Sequence, residues 1–174
     1  MELIGAPFGA LLRRMIREHE REGKVFDLLR EEGMGVAMVS FSQDEGVVEQ
    51  FLRLPFVNVC TDGLLGGRPH PRAYGTYPRV LARYVRERAT LSLEEAIRKM
   101  TSQAAEAFGF ADHGLVAEGL RANLVVFDAA RVADRATFED PIQFPVGVRD
   151  VFVGGEGVVR NGEVTGRRAG IVVS

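Results

Sequence analysis

Two short apolar runs with one helix between them constrain this chain more than any other feature. "GVAMVSF" (residues 35–41) and "FVNVCT" (56–61) are each bounded by turn-forming residues and read as buried strands. Between them Val47, Val48, Phe51 and Leu52 recur at helical spacing. Ser42 with Glu45 makes a capping-box pattern at the start of that helix, and Pro55 stops it. Strand, helix and strand at this separation form a βαβ unit, with neighbouring parallel strands joined by a right-handed crossover. In parallel α/β sheets, active sites gather at the carboxyl ends of the strands.

Helices are predicted on both sides of the unit. Phe8, Leu11, Leu12, Met15 and Ile16 share one face of a helix over 8–22, and His19 continues that face as a packing residue. A second short helix covers 25–32 and closes at Gly33. Beyond a Gly/Pro loop, a helix over 76–88 has Pro78 in its first turn and Tyr77, Leu81, Tyr84 and Val85 inward. Ser92, paired with Glu95 as a capping box, starts another. Its apolar face is Leu93, Ala96, Ile97, Met100, Ala104, Ala107 and Phe108, up to Gly109.

From about residue 111 the helical period disappears. A strand is expected at 124–127, then a hairpin with strands at 148–153 and 157–160, with Asn161-Gly162 as a strong turn signal, and a last short strand in "AGIVVS". The chain therefore divides into an α/β part, 1–110, and a β part, 111–174.

The composition excludes several classes. With 174 residues, 46% hydrophobic and 26% charged, the chain can build one core, yet a complete (β/α)₈ barrel needs at least roughly 200 residues. A net charge of −2 gives no nucleic-acid surface, and no apolar run reaches the roughly 18 residues that span a bilayer. One cysteine allows no internal disulfide and makes the cytoplasm the default location. Only Lys24 and Lys99 are lysines among many arginines, which reads as coding bias. His19, His70 and His113 stand far apart with no H-x-H or H-E-x-x-H, so no metal site is visible in this chain.

Chemistry-bearing residues collect after the second predicted strand. Asp62 stands at its carboxyl end before a glycine, where a carboxylate can serve as base or metal ligand, or can cap the following loop. Arg72, braced by Pro71, is suited either to a bidentate grip on an anionic group or to a surface ion pair. His70 is a candidate acid, base or hydrogen-bonding partner. Cys60 continues the apolar run and reads as a packed thiol. Arg68 and Arg79 read as solvated or structural, and Ser42 and Ser102 have no visible base.

The order of these strings is recognisable. "TDG", "HPRAYGTYPRVLARYVRE", "LSLEEAIRKMTSQAAEAFG", "GLVAEGLRANLVVFD" and the long string from "VADRATFE" onward resemble the C-terminal part of the N-acyl-D-amino-acid deacylases, members of the amidohydrolase superfamily. The resemblance is strong from about residue 33 onward. It implies a TIM-like (β/α)₈ barrel with zinc at its mouth and a small β-sandwich domain. This chain would supply the last barrel strands and helices in 1–110 and the C-terminal share of the β domain in 111–174. It implies hydrolysis of an N-acyl amide to a carboxylate and a D-amino acid. Asp62 matches the aspartate that activates water and protonates the leaving amine, and Arg72 matches the arginine that holds the substrate's α-carboxylate. His70, beside Arg72, is a further substrate-binding candidate.

The departures from the family pattern carry expectations of their own. The family's zinc ligands lie upstream of these strings. Zinc is thus expected for the full-length enzyme and not for this chain, which is expected to be inactive alone, with unpaired strand edges. An upstream half-chain or self-association would cover those edges. Asn123 stands where the family has aspartate, and Gly154-Gly155 where it has Asn-Gly; both read as structural. Two other readings remain open: a non-catalytic interaction module, and a hydrolase of cyclic amides such as a dihydroorotase or hydantoinase. The HPR and ADRATFE strings argue against the latter.

Overall fold

The computed structural model describes residues 43–66 and 69–172, together with Asp27, Arg30, Glu31 and Gly33. The helix expected over 8–22, the strand over 35–41, Ser42, Arg68 and His19 lie outside the described residues. Asp27, Arg30 and Glu31 are helical, as expected for 25–32, and Gly33 follows with φ +55°. The chain divides into two compact units, residues 1–48 and 49–174. Among the described residues no helix is long and apolar enough to cross a membrane.

Helix α1 spans Glu45–Arg53. Its cap is Asp44, two residues beyond the serine expected to do this: Asp44 Oδ1 accepts from the N–H groups of Gly46 and Val47 at 2.8 and 3.2 Å. Of its four expected core residues only Leu52 is buried, while Val47 and Phe51 are 41% and 57% exposed. The inward side carries Leu52 and Glu49, because Glu49 accepts from Arg88 and from Thr90.

No strand forms over 56–61. Phe56 is 76% exposed, and Cys60 is an exposed thiol where a packed one was expected. A parallel strand takes its hydrogen bonds from neighbours distant in sequence, and the other strand of the expected βαβ unit lies outside the described residues. What the segment has instead is a set of bonds to a later helix, described below.

Helix α2 begins at Arg72, four residues earlier than expected, and runs through Arg79. Pro71 sits at its N-cap in helical geometry, where proline's fixed φ suits a helix start. Pro78 thus falls inside the helix, and the chain continues as a π-helix over Val80–Glu87. Val80, Leu81, Ala82 and Tyr84 are buried along it, while Tyr77 in α2, an expected core residue, is 42% exposed.

Ser92 caps α3 (Leu93–Met100) as its sequence foretold, accepting from the Glu95 N–H at 3.1 Å. The helix expected to run on to Phe108 breaks at Thr101 (φ −133°, ψ −92°), and α4 covers Ser102–Phe108. Past the break Ala105 is buried, while Phe108, an expected core residue, is 74% exposed and stacks on Phe110. Gly109 ends α4 in the left-handed conformation.

The β part is one antiparallel sheet in the order β1 (Leu124–Phe127), β2 (Val148–Val153), β3 (Glu156–Arg160) and β4 (Glu163–Val164). Gly154-Gly155, both with positive φ, turn β2 into β3. Asn161-Gly162, at φ +51° and +84°, turn β3 into β4, the type I′ geometry that Asn-Gly favours. The last strand expected from "AGIVVS" does not form over the described residues: Ile171 and Val172 are 63% and 94% exposed.

Sheet and helices meet at the 128–134 loop. Val132, 1% exposed, is its core residue. Arg86 donates to the carbonyls of Ala129 and Val132 at 3.1 and 2.8 Å. Gly147 has φ +78°, and a Cβ there would stand 2.5 Å from the Val132 nitrogen, so only glycine lets the chain entering β2 pass this loop.

Candidate active site

Asp62 and Arg72 are ten positions apart in sequence and in direct contact, Arg72 NH2 lying 3.0 Å from Asp62 Oδ2. Gly63 explains how. A Cβ on Gly63 would lie 2.7 Å from the Ala73 Cα, so the glycine lets the loop after Asp62 press against the first turn of α2. Asp62 itself has φ +45°, a left-handed conformation that aspartate tolerates better than most residues. Thr61 Oγ1 accepts from the Gly63 N–H at 3.2 Å and closes the turn. "TDG" and "HPR" are therefore one structural unit. Both side chains are open to solvent, Asp62 at 82% and Arg72 at 43%.

The backbone before Asp62 is fixed from α3 and α4. Lys99, fully buried, donates from Nζ to the carbonyls of Leu54 (2.5 Å) and Val57 (3.0 Å), with Glu95 Oε1 3.6 Å away. Gln103 Nε2 also donates to the Val57 carbonyl, at 3.1 Å, and the Val59 N–H donates to the Lys99 carbonyl at 3.3 Å. The buried ammonium thus meets acceptors on its own side and across the interface, as a buried charge requires.

His70 lies half-buried at the other end of the HPR string. Its Nδ1 accepts from the Arg72 main-chain N–H at 3.0 Å. The ring stands edge-on to Phe138, centroids 5.0 Å apart and planes at 86°. Burial, and then the Arg72 charge, push its pKa below the ordinary histidine value. The 134–144 segment continues along the helix: Tyr74 meets Phe144 edge-on, and Arg79 pairs with Asp134 at 3.3 Å. Arg79 is structural, as expected. The Tyr77 hydroxyl is pushed up by burial and then by the nearby Cys60.

Of the residues singled out from sequence, the structure brings Asp62, His70 and Arg72 together. Lys99, which the sequence marks only as a lysine among arginines, and Gln103 and Phe138, which it does not mark, join them through the contacts above. Lys99 had a legible signal: beside Lys24 the one lysine in an arginine-rich chain, it stands three residues after Ala96 on an apolar helical face. The two departures from the family pattern in the β part touch each other, for Asn123 Oδ1 accepts from the Gly154 N–H at 2.8 Å. Among the described residues no group of three or more His, Cys, Asp or Glu side chains could hold a metal ion.

Chemically, the site offers a solvent-open carboxylate for proton transfer and a guanidinium for an anion. Arginine has five N–H donors, so a contact with Asp62 leaves donors for a second carboxylate.

Comparison with known proteins gives a consistent set. A family model described as the amidohydrolase family matches residues 61–159. A D-aminoacylase of Alcaligenes xylosoxydans xylosoxydans is 42% identical over 137 residues, covering 78% of this chain and 28% of the relative. An N-acyl-D-glutamate deacylase of the same organism is 44% identical over 118 residues, covering 67% and 24%. A crystal structure of D-aminoacylase, reported as defining a novel subset of amidohydrolases, superposes with a TM-score of 0.70 at 44% identity, covering 73% and 27%. The N-acyl-D-glutamate deacylase of Bordetella bronchiseptica, complexed with zinc and a phosphonate mimic of the tetrahedral intermediate, gives 0.66 at 42% identity, covering 71% and 28%. The chain spans about a quarter of the length of these relatives.

Proposed function

Because this chain belongs to the amidohydrolase family, we propose that it is the part of a zinc-dependent deacylase that carries the proton-transfer carboxylate and the substrate clamp. The reaction of this reading is hydrolysis of an N-acyl-D-amino acid to a carboxylate and a free D-amino acid. Residues 1–110 belong to the end of a TIM-like barrel and 111–174 to a small β-sandwich domain, and the enzyme works in the cytoplasm. The observation that carries the reading is the 3.0 Å contact between Asp62 and Arg72, which joins the two strings shared with deacylases.

Asp62 takes a proton from the attacking water and returns it to the amine nitrogen as the C–N bond breaks. Arg72 grips the α-carboxylate of the same substrate with the donors not turned toward Asp62. A clamp in contact with the base fixes the distance between the carboxylate and the scissile amide, and such positioning lowers the barrier. His70 completes the site. The described residues do not by themselves fit a zinc centre, since they hold no group of three ligands. The roles of Asp62 and Arg72 are therefore derived without the metal.

The test is Asp62→Asn in the complete, zinc-loaded protein, with release of D-amino acid from N-acetyl-D-amino acids as readout. Turnover should fall by about 10²–10⁴-fold, with zinc content and fold retained. Undiminished turnover by the variant would remove Asp62 from the chemistry.

A further inference from the structure

We propose that His70 is a positioning residue for the Arg72 clamp: its neutral imidazole, protonated at Nε2, holds the Arg72 main-chain N–H at Nδ1 and acts on no substrate atom. This rests on the reading of Arg72 as the clamp.

The hydrogen-bond accounting at the start of α2 carries the argument. The first N–H groups of a helix have no partner within it. The Ala73 N–H finds the His70 carbonyl, and the Tyr74 and Gly75 N–H groups find the Pro71 carbonyl. That leaves the Arg72 N–H, and His70 Nδ1 takes it at 3.0 Å. An Nδ1 that accepts carries no proton, so the ring proton is on Nε2. The bond spans two residues, the arrangement by which an asparagine side chain closes a turn on the backbone two residues on. Pro71 between them, at φ −52°, removes the slack.

The ring is held from its other side as well. Phe138 meets it edge-on at 5.0 Å. Phe138 stands in the segment that Asp134 and Phe144 tie to α2 through Arg79 and Tyr74. The imidazole is a spacer between the helix start and this segment. It fixes where the Arg72 Cα sits, and so where the guanidinium can reach. Burial and the neighbouring guanidinium both disfavour a second ring proton, which would abolish the acceptor.

Two substitutions divide the ring's contributions. His70→Asn keeps an acceptor, Oδ1, close to the place of Nδ1. His70→Phe keeps the ring edge against Phe138 and removes the acceptor. In the complete, zinc-loaded protein acting on N-acetyl-D-amino acids, His70→Phe should raise KM roughly tenfold, the effect of one lost hydrogen bond, with kcat within about twofold. His70→Asn should recover most of that rise. Equal losses in both variants, carried in kcat, would show direct action on substrate or proton and overturn the proposal. Arg72→Ala separates the two levels. A KM unchanged by Arg72→Ala sinks the clamp and this inference with it. A raised KM, beside equal losses at position 70, sinks the inference alone. Independently of turnover, ¹⁵N NMR of the labelled protein should find Nδ1 unprotonated, Nε2 protonated, and a coupling across the hydrogen bond to the Arg72 amide nitrogen. An Nδ1–H tautomer would overturn the proposal whatever the kinetics.

Discussion

Strands β1 to β3 and the 56–61 stretch all read from sequence as strands, and they find their hydrogen-bond partners by different routes. In the sheet, each strand pairs with the next one along the chain, through turns of two residues between β2 and β3 and between β3 and β4. In the segment leading to Asp62, partners come from two helices some forty residues later: Lys99 of α3 and Gln103 of α4 reach the carbonyls of Leu54 and Val57. The difference teaches where a functional carboxylate can be put. Asp62 follows a segment whose course is set by distant side chains, so the loop after it is free to turn sharply toward Arg72. A residue inside a regular ladder has its direction dictated by the pleat.

The largest effect expected from this contrast comes from Lys99→Met. It keeps the stem's volume and removes the ammonium, leaving the Leu54 carbonyl with the Val57 N–H alone and the Val57 carbonyl with Gln103 alone. Stability should fall by about 3 kcal/mol, read by urea unfolding. Amide exchange should speed up at Val59 and leave the β2–β3 amides as they were. Equal acceleration in both regions would break the comparison, because the segment would then owe its order to global stability rather than to the lysine.

A smaller effect is expected where the two regions are joined. Gly147→Ala places a Cβ 2.5 Å from the Val132 nitrogen and forces alanine into φ +78°. Together these should cost about 2 kcal/mol, visible as a lower thermal midpoint. If the sheet is as self-contained as its local pairing implies, the register between β2 and β3 survives the change. A register shift detected by NMR would show that the sheet depends on the 128–134 loop for its alignment.

The same contrast governs how much of the molecule was legible in advance. The strand over 124–127, the start of β2, the turn at Asn161-Gly162 and the Ser92 cap were all readable, because each is decided by residues a few positions apart. The break at Thr101 was not: the apolar period runs through it without interruption, and only the surroundings decide where that face stays covered. The early start of α2 is not legible because Pro78 reads as a first-turn proline, whereas the helix starts from Pro71 at its N-cap and carries Pro78 inside it. In the site, Asp62, Arg72 and His70 were found by their string. Their mutual contact was not, since it depends on Gly63 lying against Ala73, a close approach with no local signature. Phe138, 68 positions beyond His70, belongs to the same class of long-range contact.

The smallest effect, and the sharpest probe of the sheet's local character, belongs to Asp150 in β2. Its Oδ2 accepts from Arg149 Nε at 2.7 Å and its Oδ1 from the Asn161 N–H at 3.1 Å, so one carboxylate pins the Asn161-Gly162 turn to the middle strand. The Arg149 guanidinium first, and then the Asn161 N–H, hold its carboxyl below the ordinary aspartate value of 3.8. A carboxyl with a depressed folded-state pKa binds protons more weakly in the folded form than in the unfolded one. The stability it contributes is therefore complete above the unfolded value and is lost as pH falls from there through the folded value. Asp150→Asn should lower the thermal midpoint at pH 7 by a few degrees. The gap to the unsubstituted protein should narrow below about pH 4, where the carboxyl of the unfolded chain begins to take up its proton. Asp112 and Glu95 are also depressed, by Arg121 and Arg98 respectively, and they titrate alike in both proteins, so they cancel in the difference. A gap that stays constant down to pH 2 would mean that the turn is set by Asn-Gly geometry alone, and the sheet would then be more locally determined than its hydrogen bonds indicate.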